Sequence, residues 1–362
     1  MPPSGYTFPV RRLLLTLVVV ACAKAGPPPK PYKVDIHTHF APEGAAHLVE
    51  IMDQQGIDVA VNLSGAVPGR GLELQLAAAA KYPGRILVFC NLDWRKARGP
   101  SGYGRRMAED LVTARNLGAV GLKIPKALGL GYLDGNGAII AVDDPELDAI
   151  FVTAGELGMP VAIHTADPVA FWKPATRENE RYAELSVHPD WSFFGQGLPS
   201  WEELFAQLER RIARHPKTTF ISVHFGNAAE YPDRVAALLE RYPNLYVDTA
   251  ARIPEMGRHD GGRMRDLLVR YQDRVLFGTD LGVGEAADDL MLGSTGATPP
   301  TAADVDRFWS ATWRYFETRD RGFPHPTAIQ GEWTIDGVGL PREALVKIYG
   351  ANAARLLGIK AR

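Results

Sequence analysis

Val34-Asp35-Ile36-His37-Thr38-His39-Phe40 decides the reading of this chain. It is a short run of β-branched and apolar residues carrying two histidines one residue apart. In a strand side chains alternate with a period of two, so His37 and His39 project from one face. Two imidazoles projecting together from a strand end are half of a first-row metal site. The pair alone is a weak signal, because two hydrogen-bonded histidines near a sheet end look the same.

Outward from that stretch, apolar strand-like runs alternate with helical patterns. Ile57 to Leu63, Arg85 to Leu92, Ala119 to Ile124, Pro160 to His164, Thr219 to His224, Asn244 to Asp248 and Arg274 to Asp280 read as the next seven strands. Between them, Leu48, Ile51 and Met52, then Met107, Leu111 and Ala114, fall at helical spacing. Asp144-Pro145-Glu146 opens another helix with Leu147, Ile150 and Phe151 on one face, and Ser200-Trp-Glu-Glu203 is a capping-box pattern. Met264, Leu267, Leu268 and Tyr271 mark the last bridging helix, and Leu345, Ile348, Tyr349 and Leu356 belong to closing helices. Eight strands alternating with helices predict an α/β fold, a (β/α)8 TIM barrel over residues 32–362. A doubly wound open sheet is the alternative.

Two connections are long. Lys126 to Asp143 contains Asp134-Gly135-Asn136-Gly137, a hairpin signal. Asp167 to Pro199 carries Phe171, Trp172, Trp191, Phe193 and Phe194, which are expected either to wall a substrate pocket or to pack the loop on the barrel.

Composition narrows the functions. With 46% hydrophobic and 23% charged residues the chain has ample core material, and a formal charge of −2 gives no case for binding nucleic acid or an anionic membrane. Arg11 and Arg12 followed by Leu13 to Val20 read as an export signal. Val19-Val20-Ala21-Cys22 is similar to the lipobox of bacterial lipoproteins, so residues 1–22 are expected to be a lipoprotein-type signal peptide and residues 23–31 a proline-rich spacer. Ordinary secretion, with cleavage near Ala23-Lys24-Ala25, is the alternative. The expected location is periplasmic or membrane-anchored in a bacterium. Contact with the membrane is expected only through that lipid, and a homo-oligomer stays open. Cys90 lies in an apolar run and reads as a core residue.

Chemistry-bearing residues close the strands. His37 and His39 end strand one, His164 strand five, His224 strand six and Asp280 strand eight, all at the carboxyl ends where barrel sites assemble. Four of nine histidines fall at these ends. His47, His215 and His259 read as surface residues, while His188 and His325 are left open.

At these motifs the sequence resembles the amidohydrolase superfamily, within it the amidohydrolase-related family that includes aminocarboxymuconate-semialdehyde decarboxylase. The resemblance runs from about Tyr32 to Gly358, on Asp-Ile-His37-Thr-His39, Ile-His164-Thr, Val-His224-Phe-Gly-Asn, Val-Asp248-Thr-Ala-Ala-Arg252, Phe-Gly-Thr-Asp280 and Lys347-Ile-Tyr-Gly-Ala-Asn352-Ala. It implies one divalent ion held by His37, His39, His164 and Asp280, with His224 beside the ion's water. Three imidazoles and a carboxylate suit zinc, with manganese as the alternative. Such an ion makes hydroxide available near neutral pH, with Asp280 to accept a proton and His224 to hydrogen-bond the hydroxide or steady the oxyanion. Lys123 ends strand four, where some superfamily members carry a carboxylated lysine bridging two metals; that role would make the site binuclear, and otherwise Lys123 binds a substrate carboxylate or pairs with an acid. Arg252 is either an anion-binding or supporting group or the partner of Glu255.

Three functions compete on these residues: a metal-dependent hydrolase of an amide, ester or lactone bond in a small molecule, a non-oxidative decarboxylase of an aromatic or unsaturated acid, and a metal-bearing binding protein without turnover. The intact His224 and Asp280 speak against the last. If Cys22 carries lipid, Cys22→Ser moves the protein from the membrane to the soluble fraction. Identical fractionation of both forms establishes ordinary secretion instead.

Overall fold

The computed structural model describes residues 1, 31–286 and 288–360. The signal peptide and spacer expected over residues 1–31 lie outside them, apart from Met1 and Pro31. Residues from Pro31 onward form one compact unit.

Eight parallel strands follow one another round the sheet in chain order: β1 (Val34–Phe40), β2 (Val59–Asn62), β3 (Ile86–Cys90), β4 (Gly121–Ile124), β5 (Val161–Ile163), β6 (Phe220–Ser222), β7 (Leu245–Asp248) and β8 (Val275–Leu276). β8 ends early. The chain from Phe277 then crosses to the other side of β1, where Phe277 O accepts from Ile36 N at 3.0 Å and Asp280 N donates to His37 O at 2.9 Å. β9 (Leu281–Val283) continues that pairing, parallel to β1, and β10 (Leu290–Leu292) adds one antiparallel strand. These bonds close the barrel, which removes the open doubly wound sheet.

Alternation sorts each strand into two faces. Val61, Phe89, Ala162, Ile221 and Leu276 fill the lumen, while Val88, Leu122, Ile163, Phe220 and Val247 pack beneath the helices. At β4 the lumen position is glycine, since a Cβ on Gly121 would overlap the Phe89 ring. β1 departs from strict alternation: its register against β2 shifts between Asp35 and Thr38. Such a bulge inserts an extra residue and re-aims the side chains beyond it. Val34 and Ile36 therefore join the apolar lumen cluster, and His37 and His39, in the opposite phase, still turn into the mouth above it.

The helices at Ala45–Gln55, Leu72–Ala80, Tyr103–Leu117 and Trp201–Arg214 fall where the periodicity puts them. Ser200 caps the last by accepting from Glu203 N, but the Glu203 carboxylate turns to Gln207 and Arg210, so the box is half made. Asp134–Gly137 is a tight turn closed by a single antiparallel bridge between Leu133 and Ile139. The helix Ala302–Glu317 has a complete capping box in Thr301 and Asp304 and buries Phe308, Trp309, Tyr315 and Phe316. His215 is not a surface residue: it is buried against Phe151, with Asp148 and Arg211 on its Nε2.

Asn352 pins the closing helices. Its buried amide donates to Gln272 O at 2.6 Å and Val275 O at 2.9 Å, where β8 begins. Asn352→Ala leaves these two carbonyls short of a donor inside the protein, at a cost of about 1–3 kcal/mol each. The expected outcome is a lower urea midpoint with an unchanged slope.

Candidate metal and active centre

The carboxyl ends of the strands bring most of the expected residues together. His37 Nε2 and His39 Nε2 lie 3.4 and 3.3 Å from Asp280 Oδ1. One ligand atom from each of these three residues falls within 4.8 Å of the other two. His37, His224 and Asp248 form a second such group, sharing His37. His164 is in neither group: its ring centroid is 4.4 Å from that of His224, and its Nε2 is 3.4 Å from Asp167 Oδ1.

Hydrogen bonds to the other ring nitrogens fix what these imidazoles offer. His37 Nδ1 is 2.8 Å from Asp248 Oδ2, so the proton sits there and Nε2 keeps its lone pair. Among the described residues that Nε2 is buried with no hydrogen-bond partner, and His164 Nε2 has only the 3.4 Å contact with Asp167. His39 Nδ1 is 2.6 Å from Ser64 Oγ. His224 Nδ1 faces the Ala250 carbonyl at 3.0 Å, which accepts only from an N–H. Burial holds the His37, His164 and His224 rings neutral, His164 being lowered to about 4. Burial alone would raise the carboxyl of Asp280, but the hydrogen bond from His39 and the charge of Lys123 work against it and keep Asp280 ionised below the usual range.

The residues present fit a divalent ion. Neutral imidazoles with buried, unpartnered Nε2 atoms beside an ionised carboxylate are the donor set such an ion requires. Burying those atoms unsatisfied costs free energy that an ion would recover.

Asp248, a motif residue to which the sequence assigns no role, is the support of the site. Besides His37 Nδ1 it accepts from His224 N at 2.7 Å and Ala250 N at 3.2 Å. The positional rule that found the other residues applies to it, for it closes β7. Asp35 likewise accepts from His37 N and Thr279 N, each at 3.1 Å, and burial pushes its carboxyl up to about 7.

His224 is not on a strand. From His224 to Asn227 every residue has positive φ (58°, 53°, 68° and 47°), a left-handed turn. The non-glycine members cost roughly 1–2 kcal/mol apiece. Asn227 offsets that cost: its amide donates to Thr165 O and Ala166 O at 2.9 and 3.1 Å and its Oδ1 accepts from Arg252 at 2.9 Å.

Lys123 is buried at the end of β4, its amine unpartnered and lowered by desolvation to about 8. Arg252 is not the partner of Glu255, which is paired with Arg181. Its guanidinium donates to Ala251 O and Asn227 Oδ1, both neutral, and lines a cavity of about 100 Å3 with His164, His224 and Asp280. Phe171 and Trp191 wall this cavity as expected of the loop aromatics. Trp172 and Phe193 pack against each other on the core, and Phe194 is exposed.

The amidohydrolase family profile matches residues 34–359, and the chain belongs to this family. Solved structures share the fold at low identity. A dihydroxybenzoic acid decarboxylase from a Polaromonas species, with bound manganese and the inhibitor 2-nitroresorcinol, is 16% identical with a TM-score of 0.53 over 91% of this chain and 97% of that one. A 2,6-dihydroxybenzoate decarboxylase from Rhizobium is 18% identical at 0.51, over 91% and 99%. A "probable 2-pyrone-4,6-dicarboxylic acid hydrolase" from Acinetobacter baumannii, with citric acid bound, is 11% identical at 0.51, over 91% and 100%. No curated protein matches the chain.

Asp248→Asn tests the support. An amide at 248 cannot satisfy His37 Nδ1–H and both backbone donors at once, so the ring is driven toward the tautomer that blocks Nε2. Metal affinity, read by competition with a chromogenic chelator, is expected to fall about 10–100-fold.

Proposed function

We propose that this chain is a metal-dependent hydrolase that uses an activated water on an amide, ester or lactone bond of a small molecule. The observation that carries the reading is the buried lone pair of His37 Nε2 facing Asp280 beside a neutral, cavity-lining His224. His37, His39, His164 and Asp280 would hold the ion, zinc or manganese. When bound, a divalent ion supplies Lewis acidity, lowering the pKa of a water and polarising a carbonyl oxygen.

The chain's own residues do the rest. Asp280 is ionised and takes a proton from the attacking water. His224, with its Nδ1 proton committed to Ala250 O, presents the Nε2 lone pair. It therefore accepts a hydrogen bond first, and becomes a donor to a developing oxyanion only after taking up a proton. Asp248 holds the His37 ring in its tautomer and His224 in its place. Export through the N-terminal signal, with Cys22 as the lipid site, belongs to the same proposal.

Decarboxylation of an aromatic or unsaturated acid is the second reading. Among the described residues Arg252 is a buried guanidinium that donates to the neutral acceptors Ala251 O and Asn227 Oδ1, which suits a substrate carboxylate, and two of the structural neighbours are decarboxylases. Lys123, carboxylated, would convert either site to a binuclear one.

Elemental analysis and turnover on lactones, amides and aromatic acids, measured on the same preparations, test the assignment. About one ion per chain is expected. His224→Ala keeps the ion while turnover falls on the order of 10²–10⁴-fold, and Asp280→Ala loses both. Loss of the ion from His224→Ala makes His224 a ligand and ends this division of roles.

A further inference from the structure

Asp167 follows His164 by three residues and takes no part in the proposed reaction, yet the backbone is bent to place it. Ala166, between them, has φ 62°, a left-handed conformation that costs an alanine roughly 1–2 kcal/mol. The Asn227 amide holds that corner by donating to Thr165 O and Ala166 O at 2.9 and 3.1 Å. The turn brings Asp167 back to the His164 ring, so that Oδ1 lies 3.4 Å from Nε2. On its other side Oδ2 accepts from Lys126 Nζ at 2.7 Å. Lys126 in turn sits over the face of Trp191, 5.0 Å from the ring centroid. Asp167 and His164 both line the chamber with His224 and Asp280.

Donors and acceptors fix the proton of that ring. Burial keeps the His164 imidazole neutral, so one nitrogen donates and the other accepts. Asp167 is ionised and can only accept: burial would raise its carboxyl, but the Lys126 ammonium holds it below the usual range. A lone pair on Nε2 would set two acceptors against each other, at an atom closed to water. The proton therefore sits on Nε2. The contact is longer than the about 2.7–3.2 Å of a settled N–H···O bond, but among the described residues Nε2 has no other partner. Nδ1 is the acceptor; it too lacks a partner among the described residues, and unlike Nε2 it is not sealed from solvent. His37 and His39 are the reverse case, engaged at Nδ1 by Asp248 and Ser64 and bare at Nε2.

We propose that Asp167 is a positioning residue: it holds the Nε2 proton of His164, so that the ring presents Nδ1 to the chamber as the atom that meets the ion. His164 lies outside the ligand group of His37, His39 and Asp280, and its tautomer decides which atom can join them. The step from ring to ion rests on the metal reading proposed above; the hold of Asp167 on the ring does not. Lys126 makes the choice at position 167 a sharp one. An ammonium only donates, so in Asp167→Asn it takes the amide oxygen and turns the amide NH2 toward His164. That favours a bare Nε2 and moves the ring proton to Nδ1.

Two measurements on the full chain test this. Nitrogen–proton correlation spectra of isotope-labelled histidine, recorded without metal, report which ring nitrogen carries the proton, and His164→Gln identifies the signals of this ring. Zinc affinity is read by competition with a chromogenic chelator. The unmodified chain is expected to show His164 protonated at Nε2. Asp167→Asn is expected to move that proton to Nδ1 and to weaken zinc about 10–100-fold. A merely structural role would weaken zinc without moving the proton. His164 protonated at Nδ1 in the unmodified chain overturns the proposal and requires no variant to fold. So does Asp167→Asn with the proton still on Nε2, whatever its zinc affinity, or with the proton moved and zinc binding undiminished. An unmodified chain with Nε2–H that binds no zinc ends the metal reading and leaves the hold of Asp167 on the ring standing.

Discussion

Asp248 ties three strand ends into one site. Its Oδ2 takes the Nδ1 proton of His37 from β1, and its Oδ1 takes the backbone of His224 after β6 and of Ala250 after its own β7. A carboxylate with three donors is fully committed, which is why it can be buried at all. Without it, neither the tautomer of His37 nor the position of His224 is defined. The chemistry of the pocket depends on those two choices: Nε2 of His37 is left as a bare lone pair for a cation, and Nε2 of His224 as a bare acceptor.

The backbone around it shows the same dependence. Among the described residues the non-glycine positions with positive φ are Ala66, Ala166, His224, Phe225, Asn227, Ala251 and Asp280. All lie just past a barrel strand, on the catalytic side. Left-handed backbone at alanine or histidine persists only where surrounding bonds over-determine it. Asn227, bridging Thr165, Ala166 and Arg252, is one such constraint, and the Asp248 bond to His224 N is another. Arg252 thus supports the turn that carries His224 while its guanidinium borders the chamber.

The barrel was legible in the sequence because buried parallel strands read as apolar runs, and each of the eight left such a run. The site was legible because polar residues at the ends of those runs have few structural reasons to be there. What escaped has physical causes. The eighth strand reads as continuous from Arg274 to Asp280, yet it breaks after Leu276 so that Asp280 can reach β1. The helix Ala302–Glu317 did leave a signal, Thr301 to Asp304 followed by Phe308, Trp309 and Thr312 at helical spacing. The glycine, threonine and proline before it hide β10. The left-handed turn at His224 has no periodic signature, since its geometry is imposed by Asn227 and Asp248 through bonds to distant parts of the chain. Asp167 illustrates the same limit: it reads as a loop residue, but the fold sets it 2.7 Å from Lys126 and 3.4 Å from His164.

Two kinds of buried charge meet at this mouth, and their difference separates scaffold from site. Arg181 lies between Glu184 and Glu255, and Lys126 is paired with Asp167, so each of these cations faces a carboxylate of the same chain. Such pairs hold the long loop in place. Around Asp280 the compensation is incomplete: His37 is held neutral, its Nε2 lacks a partner, and the Lys123 amine is unpartnered as well. A protein that buries unsatisfied donors and acceptors side by side bears a cost that folding alone does not recover. On the function proposed above, the group that would recover it is a cation against the imidazoles and Asp280. The bare imidazole nitrogens beside Asp280 therefore mark where that charge belongs, and the carboxylate-faced cations of the loop belong to the frame around it.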